Sequence, residues 1–90
     1  MSDLIICLIQ SDDYKKRLLG EYLEIKERIE KLNNFLTKYK LGVLEFTPTS
    51  SLNTFQRQER LMWAYLQVLE LRLKDEGIQG ISTDGLEVSN

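Results

Sequence analysis

The stretch from Asp12 to Lys40 constrains the fold more than any other part of the chain. Its apolar positions follow one another at spacings of 4, 3, 4, 3, 4 and 3 residues: Leu18, Tyr22, Ile25, Ile29, Leu32, Leu36 and Tyr39. This period is typical of an amphipathic α-helix, whereas a β-strand would alternate. Ser11 stands where an N-cap would accept backbone N–H groups, and Gly42 follows as a C-terminal stop. The stretch therefore predicts one long helix with both ends encoded.

A second helix is predicted from about Asn53 to Glu76, with Asn53 or Thr54 as its N-cap and Gly77 as its stop. Its apolar residues spread over most of the circumference: Leu61, Met62, Trp63, Ala64, Tyr65, Leu66, Val68, Leu69, Leu71 and Leu73. A helix that is apolar almost all round is normally surrounded by other chain. Trp63 projects from the narrow polar face, so we expect it at a subunit contact or beneath the N-terminal segment.

Residues 4–9 form a short apolar run that could be a buried strand or a short helix. A lone strand would lack a pairing partner, which favours a short helix or extended arm docked on its own or a neighbouring subunit. Within this run, Cys7 is predicted to be a small buried hydrophobe. Gly20 is unfavourable in the middle of a helix, and we expect it to permit the close approach of another backbone or a ligand.

The two long helices are separated by a connector, marked by Gly42, Pro48 and a run of Thr and Ser, with Val43, Leu44 and Phe46 as candidate anchors. Residues 78–90 form a C-terminal tail. The turn signal at 84–85 would suit a small hairpin in this tail, which we expect to be mobile or docked on a neighbour.

The predicted fold class is all-α: a long antiparallel helical hairpin with a short N-terminal apolar segment, completed by homo-oligomerisation. Residues 1–77 would form one helical oligomerising domain. A two-helix hairpin has no enclosed core, and a single hairpin partner would leave Leu19 and Leu23 exposed. Short chains without disulfides or metals commonly complete their core by self-association.

Composition argues against several classes of function. The formal charge is −2, so long nucleic acid is not an expected partner. One cysteine and no histidine remove disulfide frameworks, the usual zinc sites and histidine-based catalysis. No phosphate loop or nucleophile motif is present, so we expect neither an enzyme nor a cofactor. The apolar run at residues 4–9 is too short for a membrane span or signal peptide, which favours the cytoplasm and no membrane partner.

One group of residues suits a small ligand. Tyr14, Lys16 and Arg17 lie at the start of the first helix, Lys31 lies along its flank, and an antiparallel hairpin would bring Arg72 back beside its start. An aromatic ring can stack on a base while cations meet phosphate oxygens. A solvated surface that pairs with neighbouring carboxylates, as in Arg17 with Glu21 or Glu24 with Arg28, explains the same charges.

Residues 14–73 also resemble a known family. The shared pattern is Tyr14-x-x-Arg17-Leu18-x-x-Glu21, then Ile25-x-x-x-Ile29-x-Lys31-Leu32-x-x-Phe35-Leu36, and after the connector Gln58-x-x-x-Met62-x-x-Tyr65-x-x-x-Leu69-x-x-Arg72-Leu73. It is similar to that of small phage proteins that counter CBASS immunity by sequestering cyclic oligonucleotides. The resemblance implies a non-enzymatic homohexamer, acting in the cytoplasm of the infected bacterial host, that binds cyclic dinucleotides between protomers. Some members of that family also hold cyclic trinucleotides near three-fold axes.

Carried over by position, the resemblance assigns Lys31 to a phosphate of the dinucleotide. It assigns Tyr14 to stacking on a base, with Lys16 or Arg17 nearby, and Arg72 to the trinucleotide pocket. The chain departs from the family pattern at residues 4–9 and after residue 77, and Lys16 stands where another ring would be expected. The competing hypothesis is a structural or adaptor coiled coil that binds another protein through its apolar helix faces, including Leu19, Leu23 and Trp63.

Overall fold

The computed structural model describes residues 2–78, and within them the chain forms three helices and no strand. They are α1 (Asp3–Ile9), α2 (Tyr14–Leu41) and α3 (Leu52–Asp75). The helices α2 and α3 form an antiparallel hairpin, because the start of α2 contacts the end of α3 and the end of α2 contacts the start of α3. The short helix α1 packs on α2. The predicted all-α hairpin is confirmed, and the short N-terminal segment, expected as a short helix or an extended arm, is a helix. Homo-oligomerisation stays a prediction.

The N-termini of both long helices are capped by residues other than those predicted. Asp13 caps α2, and its carboxylate accepts the backbone N–H of the second helical residue at 2.9 Å. Ser11, the predicted cap, instead accepts the N–H of Asp13 at 3.1 Å and so shapes the turn before the helix. Ser51 caps α3 by accepting the N–H of Thr54 at 3.2 Å. The candidates Asn53 and Thr54 therefore lie inside the first turn of α3.

The C-termini end at glycines, as predicted. Gly42 and Gly77 have φ angles of 72° and 82°, a left-handed conformation that side chains disfavour. After Gly77 the N–H of Ile78 returns to the carbonyl of Leu73 at 2.9 Å, and Ile78 packs against the core. The first residue of the predicted tail thus belongs to the helical unit. The turn predicted at 84–85 lies in residues 79–90, outside the described residues.

The core lies between α2 and α3. It is a cluster of almost fully buried side chains from both helices: Leu18, Tyr22, Ile29, Leu66, Leu69 and Leu73. Burial raises the pKa of the Tyr22 hydroxyl, as does the nearby Glu70. Leu19 and Leu23 are half-buried and pack against this cluster. The expectation that they would be exposed in one subunit is therefore wrong. Trp63 is also half-buried within a single subunit.

The contact between α1 and α2 is centred on Gly20. A Cβ atom at Gly20 would lie 2.8 Å from Leu8 Cβ and 2.9 Å from the backbone nitrogen of Ile9. The predicted close approach is confirmed, and α1 is the element that makes it. The prediction that Cys7 is buried is wrong, since its side chain is exposed. Ile5 is the buried residue of α1, and Cys7 lies about 200° around the helix from it.

An aromatic cluster ties the connector to the hairpin. The ring centroid of Phe35 lies 5.0 Å from that of Phe55, 6.0 Å from that of Tyr39 and 6.3 Å from that of Phe46. Of the candidate anchors of the connector, Phe46 is in ring contact with Phe35 although it is 62% exposed, Leu44 is half-buried, and Val43 is 60% exposed.

The outer face of α3 is not covered within one subunit. Four large apolar side chains of this helix remain exposed: Leu61, Tyr65, Val68 and Leu71. The expectation that α3 is surrounded is therefore not met by a single copy of the chain. None of the helices within residues 2–78 has the length and hydropathy needed to cross a lipid bilayer.

Candidate functional site

A cleft of about 320 Å³ lies where α2 begins and α3 ends, and we call it the end cleft. It exists because the antiparallel hairpin returns the last turn of α3 to the first turns of α2, while the end of α1 closes one side. Its lining consists of Ile9, Tyr14, Arg17, Leu18, Glu21, Glu24 and Arg72. Three of the five residues assigned from the sequence, Tyr14, Arg17 and Arg72, are therefore brought together.

A hydrogen-bond network crosses this cleft from helix to helix. The Arg72 guanidinium donates through Nη2 to the Tyr14 hydroxyl at 2.7 Å, and its Nη1 lies 4.0 Å from Glu21 Oε1. The Tyr65 hydroxyl donates to Glu21 Oε2 at 2.7 Å. Two side chains of α2 thus alternate with two of α3, and the network fixes the relative positions of a ring and a cation.

The network also changes two pKa values. The hydrogen bond from Tyr65 to Glu21 raises the pKa of Tyr65, because the carboxylate favours the protonated phenol. The contact with the Tyr14 hydroxyl, followed by the charge of Glu21, raises the pKa of Arg72. Arg72, like any arginine, is a cation, and its guanidinium lies beside the Tyr14 hydroxyl.

Replacing Glu21 by glutamine tests this arrangement. We expect the pKa of Tyr65 to fall towards its ordinary value, because a neutral amide no longer opposes ionisation of the phenol. The change can be followed by NMR titration of the Tyr65 ring. Glu30→Gln, at an exposed position of the same helix, should leave the titration unchanged. An unaltered Tyr65 titration in Glu21→Gln would contradict the network.

Arg17 lies at the rim of the end cleft. Its Nη1 donates to the backbone carbonyl of Ser11 at 2.9 Å, so it does not make the expected pair with Glu21. The second expected pair is present, because Arg28 donates to Glu24 at 2.8 Å. With two arginines and two glutamates in its lining, the end cleft carries no net charge. An anionic ligand would therefore need a further cation from elsewhere.

Lys31 does not reach the end cleft. It lies 17 positions after Tyr14 on the same helix, which corresponds to about 25 Å. Its ammonium is 3.1 Å from Glu27, a contact that lowers the pKa of that carboxylate. Lys16 is exposed on α2 and lines none of the clefts described here. The structure thus separates Lys31 from Tyr14 and joins Tyr14 to Arg72.

Lys31 instead lines a second cleft of about 510 Å³, the connector cleft, between α2 and the connector. Lys38, Phe35 and Phe46 line the same cleft together with Asn34 and residues 43–45. Lys38 and Phe46 were not assigned from the sequence as site residues. Within residues 2–78, no group of acidic or cysteine side chains gathers in a way that would hold a metal ion.

Tyr65 and Glu21 were also missed, although the sequence contained a signal for them. If Tyr14 of α2 is opposite Arg72 of α3, then the residue seven positions later in α2 is opposite the residue seven positions earlier in α3. Those residues are Glu21, an acceptor, and Tyr65, a donor.

Comparison with known proteins adds one finding. A family model described as Sequestin matches residues 12–75, which include all of α2, the connector and all of α3. The match leaves out α1. No curated protein and no solved structure matches the chain.

Proposed function

The chain belongs to the Sequestin family, and we propose that it sequesters cyclic dinucleotides at the interfaces between its own subunits. In this proposal it acts in the cytoplasm of a phage-infected bacterium and keeps the second messenger from the effectors of CBASS-type immunity. It would also take cyclic trinucleotides. The resemblance assigned Arg72 to that second ligand, whereas Arg72 lies beside Tyr14 in the end cleft. The family name is compatible with sequestration, and the resemblance of residues 14–73 supplies the ligand class.

The observation that carries the proposal is the hydrogen bond from the Arg72 guanidinium to the Tyr14 hydroxyl at the end cleft. A base can stack on the exposed ring, while Arg72 and Arg17 meet phosphate oxygens. Stacking on an aromatic side chain contributes about 1–3 kcal/mol per base. Binding in the sub-micromolar range needs more than about 8 kcal/mol, so one ring and its cations are insufficient and enclosure must add the rest.

A second copy of the chain would bring a lysine, Lys31, to the Tyr14 ring of the first copy. Tyr14 and Lys31 lie about 25 Å apart on one rigid helix, so a cyclic dinucleotide cannot touch both in the same subunit. Their midpoint is at residues 22–23 of α2. A second α2 that runs antiparallel about this midpoint brings its Lys31 to the level of the first Tyr14, and the reverse contact occurs at the other end.

This arrangement also gives the end cleft the positive charge that an anionic ligand needs. The end cleft is neutral by itself, and each Lys31 from the opposing copy adds one positive charge. Each end of the pair of helices then carries one Tyr14 and one Lys31, so a cyclic dinucleotide bound there meets one positive charge more than the neutral end cleft of a single copy supplies. We propose stoichiometric capture without turnover, since the residues of the end cleft include no nucleophile paired with a base.

Titration calorimetry with cyclic di-AMP, cyclic di-GMP and cyclic GMP-AMP tests the proposal. We expect heat of binding with at least one of them. Lys31→Ala should weaken that binding by at least about tenfold, because each removed lysine leaves a phosphate without its cation. Lys40→Ala, which removes an exposed lysine at the end of the same helix, serves as the matched control and should bind as the unaltered protein does. No heat with any of the three ligands would contradict the proposal.

The exposed apolar side chains of α3 are the one observation that favours the adaptor hypothesis. Its expected surface at Leu19, Leu23 and Trp63 is half-buried within the subunit, so that surface is not available as predicted. The exposed apolar side chains of α3, Leu61 and Leu71 among them, would have to serve instead. A monomer that binds none of the cyclic nucleotides would favour this hypothesis.

A further inference from the structure

Six exposed residues form a line along α3 on the side opposite the core. We call this line the outer seam: Arg57, Leu61, Ala64, Val68, Leu71 and Asp75. Their spacings are 4, 3, 4, 3 and 4 residues, the heptad rhythm of a helix that packs against one other helix. Leu61 and Leu71 are 66% and 60% exposed. In a lone subunit, the most apolar positions of the seam are therefore in water.

The spacings between the residues of the outer seam are symmetric, since their order is the same from either end of the helix. Its centre is at the level of Leu66, and a two-fold axis there places an antiparallel copy of the seam opposite the first. Leu61 then faces Leu71 of the second copy, and Ala64 faces Val68 of the second copy. Each contact occurs twice, as an isologous interface requires. All four exposed apolar residues of the seam are thus covered by apolar residues of the second copy's seam.

The charged ends of the outer seam select the same arrangement. Arg57 and Asp75 make no ion pair within residues 2–78, and both are exposed. The antiparallel arrangement places Arg57 of each copy opposite Asp75 of the other, so both ends carry an opposite-charge pair. A parallel arrangement would instead place arginine against arginine and aspartate against aspartate. Charge complementarity therefore favours the antiparallel copy over the parallel one.

One contact opposes this interface. Arg60, beside the seam, would approach Lys74 of the second copy. Lys74 is already 3.2 Å from Glu70 of its own helix, which offsets its charge. The repulsion lies at the solvated edge of the interface, where charges are well screened.

We propose that the outer seam of α3 is an interface with a second, antiparallel copy of this chain. The inference deepens the proposed assembly by naming its surface and partner. It rests on the part of the proposed function that requires self-association and is independent of the ligand.

A charge exchange tests the interface without disturbing the core. We would measure the dissociation constant by sedimentation equilibrium for Arg57→Asp, Asp75→Arg and the double variant, over roughly 1–200 µM protein. Each single variant turns both end contacts into like-charge contacts, so we expect association to weaken by at least about fivefold. The double variant restores opposite charges and should return to within about twofold of the unaltered protein.

A second pair of variants tests the apolar layers. Leu61→Glu should weaken association by more than about tenfold, since it places a carboxylate against Leu71 of the second copy. Leu41→Glu, at an equally exposed leucine of α2, is the matched control and should associate normally. Circular dichroism verifies that both variants stay helical.

The outcomes separate this inference from the proposed function. An unaltered protein that is a monomer throughout the concentration range overturns both the interface and the proposed assembly. An assembly that persists unchanged in Leu61→Glu and in both single charge variants overturns the interface alone. Loss of association in the single charge variants without recovery in the double variant overturns the antiparallel register.

Discussion

Replacing Leu66 by alanine is expected to destabilise the fold by about 2–5 kcal/mol. Leu66 is fully buried at the centre of α3 and belongs to the cluster that joins α3 to Tyr22 and Ile29 of α2. The loss combines the apolar transfer energy of the removed atoms with the cavity that they leave. Since small domains are stable by about 5–15 kcal/mol, this change alone removes a large part of the total. Urea denaturation followed by circular dichroism measures it.

The control for this prediction is the same substitution at an exposed leucine. Leu41 is 70% exposed in the last turn of α2, so Leu41→Ala should alter the free energy of unfolding by less than about 0.5 kcal/mol. Equal effects of the two variants would mean that the core does not lie between α2 and α3. Both variants should be measured at one protein concentration, because self-association would add to the apparent stability.

The second large effect is expected at Gly20. Replacing it by valine should destabilise the protein by about 2–3 kcal/mol, although valine is slightly better than glycine in a helix. The first added atom alone would lie 2.9 Å from the backbone nitrogen of Ile9. A backbone atom cannot move aside as a flexible side chain can. Helix α1 must therefore leave its position on α2, and the burial of Ile5 is lost with it.

Hydrogen exchange distinguishes this mechanism from general damage to the fold. In Gly20→Val we expect the amides of α1 to lose protection while those around Leu66 and Leu69 keep theirs. A shortened chain that begins at Ser11 provides the converse test. There Gly20→Ala should stabilise by up to about 1 kcal/mol, because the obstacle is gone and alanine is the better helix former. Undiminished protection of α1 in the valine variant would contradict this account.

Much of the fold could be predicted from the sequence because helical periodicity is a local signal. The line of apolar residues from Leu18 to Leu36 lies in or beside the core, and Gly42 and Gly77 end the two long helices as expected. The close approach at Gly20 was also predictable, since a glycine in the middle of a helix needs a reason. The N-caps were missed because several neighbouring Ser, Asp, Asn and Thr residues can each accept the same N–H groups.

Features that depend on packing between elements were harder to predict. Cys7 was expected to be buried because its neighbours are apolar, but which face of a short helix is covered depends on the element beneath it. Leu19 and Leu23 were expected to be exposed because a single hairpin partner was expected to cover only one line of α2, whereas both pack against the core cluster. Lys31 and Tyr14 were assigned to one ligand from a resemblance, whereas they lie about 25 Å apart along α2 and so cannot both touch one cyclic dinucleotide within a single copy of the chain. The ligand itself comes from the resemblance and not from the helical pattern.

The register of the hairpin has a consequence for how copies would close into a particle. Contacts between Tyr14 and Arg72, and between Glu21 and Tyr65, place Leu66 of α3 opposite residue 20 or so of α2. The two-fold axis proposed for α2 crosses at residues 22–23, within about one helical turn of that height. Two dyads that lie in one plane and are not parallel intersect, and intersecting dyads generate a dihedral point group when the angle between them divides a full turn evenly. Dyads at separate heights would instead produce a screw and an endless fibre, so the register of one hairpin favours a finite shell.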